Sequence, residues 1–83
     1  MTYFHVHAIH DTQGRLSMLA TYTQRDGVIT PSAAAERYVM MALPGCKIDR
    51  IGGARTGNFD CFSATNPSYP DQPHLVIVTT TES

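Results

Sequence analysis

The sequence predicts an α+β fold: an antiparallel β-sheet in the order β-β-α-β-β-β with one helix packed on one face. Three observations predict it. Two stretches near the N-terminus alternate at period two. One later stretch carries apolar residues at helical spacing, with a start and a stop signal at its ends. The remaining apolar stretches are short and are separated by turn residues.

From Tyr3 to His10, Phe4, Val6 and Ala8 point one way, and Tyr3, His5, His7 and Ile9 the other. Asp11-Thr12-Gln13-Gly14 is turn chemistry, with a glycine free to take positive φ. Arg15 to Gln24 alternates again, with Leu16, Met18, Ala20 and Tyr22 on one face, so the two stretches form a hairpin. Arg25-Asp26-Gly27 is a second turn. Thr30-Pro31 then opens a helix: threonine caps free N–H groups, and proline suits the first helical position because it has none. The helix runs from Ser32 to Leu43 with Ala34, Ala35, Tyr38, Val39 and Ala42 as its buried stripe, and Pro44-Gly45 stops it. Cys46 to Gly53 is a third strand in which Ile48 and Ile51 are out of phase, so a bulge is expected. Phe59 to Thr65 and Leu75 to Thr81 are the fourth and fifth strands. The three prolines between them read as a stiff connection. The expected core gathers Phe4, Val6, Ala8, Leu16, Met18, Ala20, Tyr38 and Ala42.

The 83 residues suffice for one domain, 1–83, with one modest core; a domain of this size gains from a partner or from forming a homodimer. The apolar share of 42% indicates a packed chain rather than a disordered one. A formal net charge of −1 argues against a protein built mainly to grip nucleic acid, and against an acidic mimic of it. No apolar run is long enough to cross a bilayer, and Met1 to His10 lacks the pattern of a signal peptide, so a cytoplasmic location and reduced thiols at Cys46 and Cys61 are expected.

Several constellations invite chemistry. His5 and His7 project from one strand face at roughly 7 Å spacing, and such a pair can share a transition metal if a third ligand closes the site. His10 faces the other way if the strand is regular, and His74 or a carboxylate such as Asp60 could complete the set. Without a closing ligand the histidines simply cover an open face, and no metal and no cofactor are expected. The glycine-rich turn around Arg55 lacks the Lys-Ser/Thr ending of a phosphate-binding loop. No Gly-x-Ser-x-Gly elbow is present, and Asp49 and Asp60 meet only if their strands are neighbours. An open sheet face with Tyr3 and one of Phe59 or Phe62, together with Arg50 and Arg55, could stack RNA bases, although the RNA-recognition signature is missing.

The hairpin, the helix opened by Thr30-Pro31-Ser32-Ala33-Ala34-Ala35-Glu36, its stop at Leu43-Pro44-Gly45 and the strand Lys47-Ile48-Asp49-Arg50-Ile51 resemble in layout the small proteins of phages and mobile elements, anti-CRISPR inhibitors among them. The resemblance is one of architecture and includes no diagnostic motif. It implies a non-enzymatic protein that binds and blocks a bacterial CRISPR effector complex in the host cytoplasm. The near-neutral charge favours steric cover of a protein surface. The residues expected to make contact lie away from the helical stripe and in the sheet and loops: Arg37, Met40, Asp49, Arg50 and Arg55. Two other readings stand beside it, an RNA-binding module and a small metal-dependent enzyme using His5 and His7.

Overall fold

A computed structural model describes residues 1–9, 16–55 and 58–83, and at residues 9, 16 and 17 the backbone alone. The turn expected at 11–14, together with His10, lies outside the described residues. The elements are β1 (Thr2–Ile9), β2 (Leu16–Thr23), α1 (Pro31–Ala42), β3 (Lys47–Gly53), β4 (Phe59–Thr65) and β5 (His74–Glu82), with one 3-10 turn at Gln24–Asp26. The strands form a single five-stranded sheet in the order β2-β1-β5-β4-β3, every pair antiparallel. The predicted α+β class and element order are those of the protein. At 12 residues, α1 is too short to cross a membrane, and no helix among the described residues is long and apolar enough to do so.

The order follows from burial. Leu75-Val76-Ile77-Val78 is an unbroken apolar run, and a strand apolar on both sides belongs in the middle of a sheet. β5 is indeed central, between β1 and β4. Helix α1 crosses one face, capped by Thr30, whose side chain accepts from the Ala33 N–H at 3.1 Å. Beneath it lie Phe4, Val6 and Ala8 of β1, Phe62 and Ala64 of β4, and Val76 and Val78 of β5. From above they meet Val28 and the helical Ala34, Ala35, Tyr38 and Val39; the small alanines let the helix backbone sit close to the sheet.

The edge strands depart from simple alternation. In β2 the register passes from Val6↔Ala20 to His7↔Met18, so Leu19 is an extra residue. Ala20 and Tyr22 keep the core side, whereas Met18 is turned to the opposite face and is 63% exposed. The expectation that Met18 is buried is therefore corrected by a bulge, and the side chain of Leu16 lies outside those described. In β3 the register shifts between Arg50↔Phe62 and Gly52↔Cys61, which places the expected bulge at Ile51. Ile48 packs against the core and Ile51 is exposed. Ala42, expected in the core, is exposed as the last helical residue. Leu43 follows it out of the helix, bonds its N–H to the Val39 carbonyl at 2.8 Å, and takes the half-buried place at this end. The proline-bearing connection is a pair of turns closed by Tyr69 N–H to Asn66 O and Gln72 N–H to Tyr69 O.

Candidate functional site

The sheet face away from α1 has no covering layer among the described residues. The registers place on it Tyr3, His5 and His7 from β1, Met18, Thr21 and Thr23 from β2, and Leu75, Ile77, Thr79 and Thr81 from β5. From β4 and β3 come Phe59, Cys61, Ser63 and Thr65, then Lys47 and Asp49 at the far edge. Phe59 is 39% exposed, while Phe62 points into the core, so the two phenylalanines divide between the faces as their odd spacing requires. Ile77 is only 8% exposed although no helix lies above it. Its cross-strand neighbours on that face are His7 and Cys61, which flank it on either side.

The two histidines are held by threonines. His5 Nδ1 lies 3.0 Å from Thr21 Oγ1 and His5 Nε2 lies 2.9 Å from Thr81 Oγ1. A neutral imidazole offers one donor and one acceptor, and hydroxyls on both sides satisfy either tautomer. His7 Nε2 is 3.0 Å from Thr79 Oγ1. Tyr3 stacks on His5 with ring centroids 6.3 Å apart. Burial, reinforced by repulsion from His5, pushes the pKa of His7 below its ordinary value of 6.5.

This arrangement does not close a metal site. His74, Asp60 and the buried valines of β5 alternate onto the helix side, so neither candidate third ligand reaches the histidine face. Among the described residues no three His, Cys, Asp or Glu side chains converge. Asp49 and Asp60 likewise lie on opposite faces, which removes the paired-carboxylate arrangement. Cys46 and Cys61 are free and half-buried.

The residues singled out for protein contact are scattered by the fold. Arg37 donates to the Asp26 carbonyl at 2.8 Å and so ties α1 to the 3-10 turn. Arg50 donates from Nε to Asp60 Oδ1 at 2.9 Å; Asp60 is 6% exposed, the one buried charged side chain among the described residues. Arg55 is exposed in the β3–β4 turn. Met40 and Asp49 share a groove: with Glu36, Val39, Cys46, Lys47 and Ile48 they line a space of 470 Å³ between α1 and the outer edge of β3. Sequence reading missed the groove because helix and strand meet there only after folding. It also missed Ile77, Thr79 and Thr81, whose signal was the apolar run passing into a threonine run in the last strand.

Comparison of the chain with protein-family models, with curated proteins and with solved structures finds no match.

Proposed function

We propose that this protein is a non-enzymatic binding module whose open sheet face docks on the surface of a larger protein. The observation that carries the reading is the chemistry of that face. It presents Tyr3, Met18, Phe59 and Leu75 among hydroxyls and threonine-bonded histidines, with Ile77 buried at its centre. Among the described strand residues its charged groups are Lys47 and Asp49, opposite in sign and confined to one edge. A nucleic-acid surface needs cations along the phosphate path. A protein interface wants an apolar, aromatic centre with satisfiable polar groups around it. The face fits the second description, and Arg50, expected to serve RNA, is turned to the other side and engaged with Asp60.

The partner class implied by the architectural resemblance is a bacterial CRISPR effector complex. The test has three arms. Purified effector complexes are assayed for target-DNA cleavage with and without the protein. Any complex that is inhibited is titrated with Phe59→Asp and Tyr3→Asp, alongside Arg37→Glu on the helix side. Fluorescence polarisation with single-stranded RNA tests the alternative. Loss of about tenfold or more in affinity at Phe59 and Tyr3, with Arg37→Glu unchanged, is expected for docking through the open face. Loss at Arg37 alone transfers the contact to the helix side. Micromolar RNA binding by the isolated protein overturns the reading.

A further inference from the structure

The structure has a second unpartnered feature, distinct from the open face: the outer edge of β3 and the groove beside it. We propose that this edge is where the protein pairs with a second copy of itself, β3 against β3 about a twofold axis through Ile48.

β3 is the last strand of the sheet, so alternate residues present backbone N–H and C=O groups with no strand among the described residues to receive them. The straight part is short. It starts after Gly45, whose φ of 87° turns the chain out of the helix, and ends at the Ile51 bulge. Between these limits lies Cys46-Lys47-Ile48-Asp49-Arg50.

Charge then selects both the occupant and the register. Lys47 and Asp49 lie on the same face, two residues apart. A second copy related by a twofold axis normal to the sheet pairs residues of like face and in antiparallel order. Three registers are available. Centring the axis on Lys47 sets Lys47 against Lys47, and centring it on Asp49 sets Asp49 against Asp49. Centring it on Ile48 sets each Lys47 against the Asp49 of the other copy, twice by symmetry. Like charges directly opposite each other destabilise a sheet and opposite charges stabilise it, so only the Ile48 register is favourable. Charged edge residues usually deter strand pairing. Here the sequence is self-complementary, so they deter other strands and accept this one.

The groove supplies the apolar part. Val39, Met40, Cys46 and Ile48 are the apolar part of its lining, beside Glu36, Lys47 and Asp49. In the chosen register the partner's Ile48 arrives beside Ile48 on the helix side, where Met40, largely exposed in the single chain, can cover both. Two five-stranded sheets then become one continuous sheet with both helices on the same face and both open faces on the other. The contact is small, so association in the micromolar range is expected rather than an obligate dimer.

The experiment is sedimentation velocity on the full chain over a concentration series, with Lys47→Glu, Asp49→Lys, the double variant and a mixture of the two single variants. Thermal melts show that each variant is folded. The wild type is expected to dimerise. Each single variant places like charges opposite each other twice and is expected to weaken dimerisation by about tenfold or more. The double variant restores opposite charges and recovers the dimer. The mixture is the sharpest arm: a Lys47→Glu chain facing an Asp49→Lys chain has both pairs attractive, so two monomeric proteins form a heterodimer when combined. A wild type that stays monomeric to about 1 mM overturns the proposal, because edge pairing that weak is no interface. So does a dimer indifferent to both single reversals, which places the contact elsewhere, or singles that fail to combine.

Discussion

Arg50→Ala is expected to destabilise the protein by about 2 kcal/mol, far more than a surface arginine warrants. The reason is Asp60. Its carboxylate sits on the helix side of β4, opposite Val78, and is 6% exposed. Its bond to Arg50 Nε measures 2.9 Å. Breaking a fully buried pair by deleting one partner costs about 3–5 kcal/mol, because the survivor is left charged and unpaired. The Arg50 side chain is 54% exposed, so water can follow into part of the space it vacates. That places the cost nearer the loss of one charged hydrogen bond, about 1.5–3 kcal/mol. For a domain of this size 2 kcal/mol corresponds to a fall in Tm of about 10 °C. The assay is urea and thermal denaturation followed by circular dichroism on wild type, Arg50→Ala, Asp60→Asn and the double variant. Neutralising Asp60 in the Arg50→Ala background should recover part of the loss. If Arg50→Ala lies within 0.5 kcal/mol of wild type, the ordinary scatter of a neutral surface change, the pair is not structural and the reasoning fails.

Three further outcomes follow from the same geometry. A methyl group at Gly53 would lie 2.7 Å from the Phe59 carbonyl oxygen and 2.6 Å from Arg50 Nη2. The carbonyl is held by the Ala54 N–H, so Gly53→Ala should cost about 2 kcal/mol in the same denaturation assay, and a neutral result would show that the β3–β4 turn relaxes freely. Phe62→Ala should cost about 3–5 kcal/mol and Phe59→Ala about 1 kcal/mol or less, since the two lie on opposite faces; equal losses would contradict the register. His7 has a folded pKa below 6.5, so the unfolded chain takes up its proton first as pH falls. Its contribution is present above pH 6.5 and is lost as pH drops from there towards the folded value. Urea midpoints at pH 7.5 and pH 5.5 should fall less for His7→Gln than for wild type; an identical fall in both proteins removes His7 from the acid response.

Local chemistry determined the elements. Thr30-Pro31 could only open a helix and Pro44-Gly45 only close one, because capping and the missing proline N–H act within a few residues. Alternation in β1 fixed which of its residues met the core, and Phe59 and Phe62 were bound to separate. The out-of-phase isoleucines of β3 announced a bulge, but not that Ile51 would be the residue left outside. The bulge at Leu19 left no such trace, since Leu16, Met18, Ala20 and Tyr22 alternate without a break. Only pairing with β1 decided that Met18 leaves the core face, because register is a property of two strands. The same holds for everything functional. Arg50 read as a free surface cation until β4 set it beside Asp60. Whether His5 and His7 had a third ligand within reach was open in the sequence, and only the sheet registers showed that His74 and Asp60 lie on the far face, while threonines of β2 and β5 bond both nitrogens of His5 and Nε2 of His7. Met40 and Asp49 came to line one groove because α1 lies against β3. Composition and spacing act along the chain, whereas a face, a groove and an edge arise from segments distant in sequence, so the sequence determined the parts and the tertiary structure decided which of them meet.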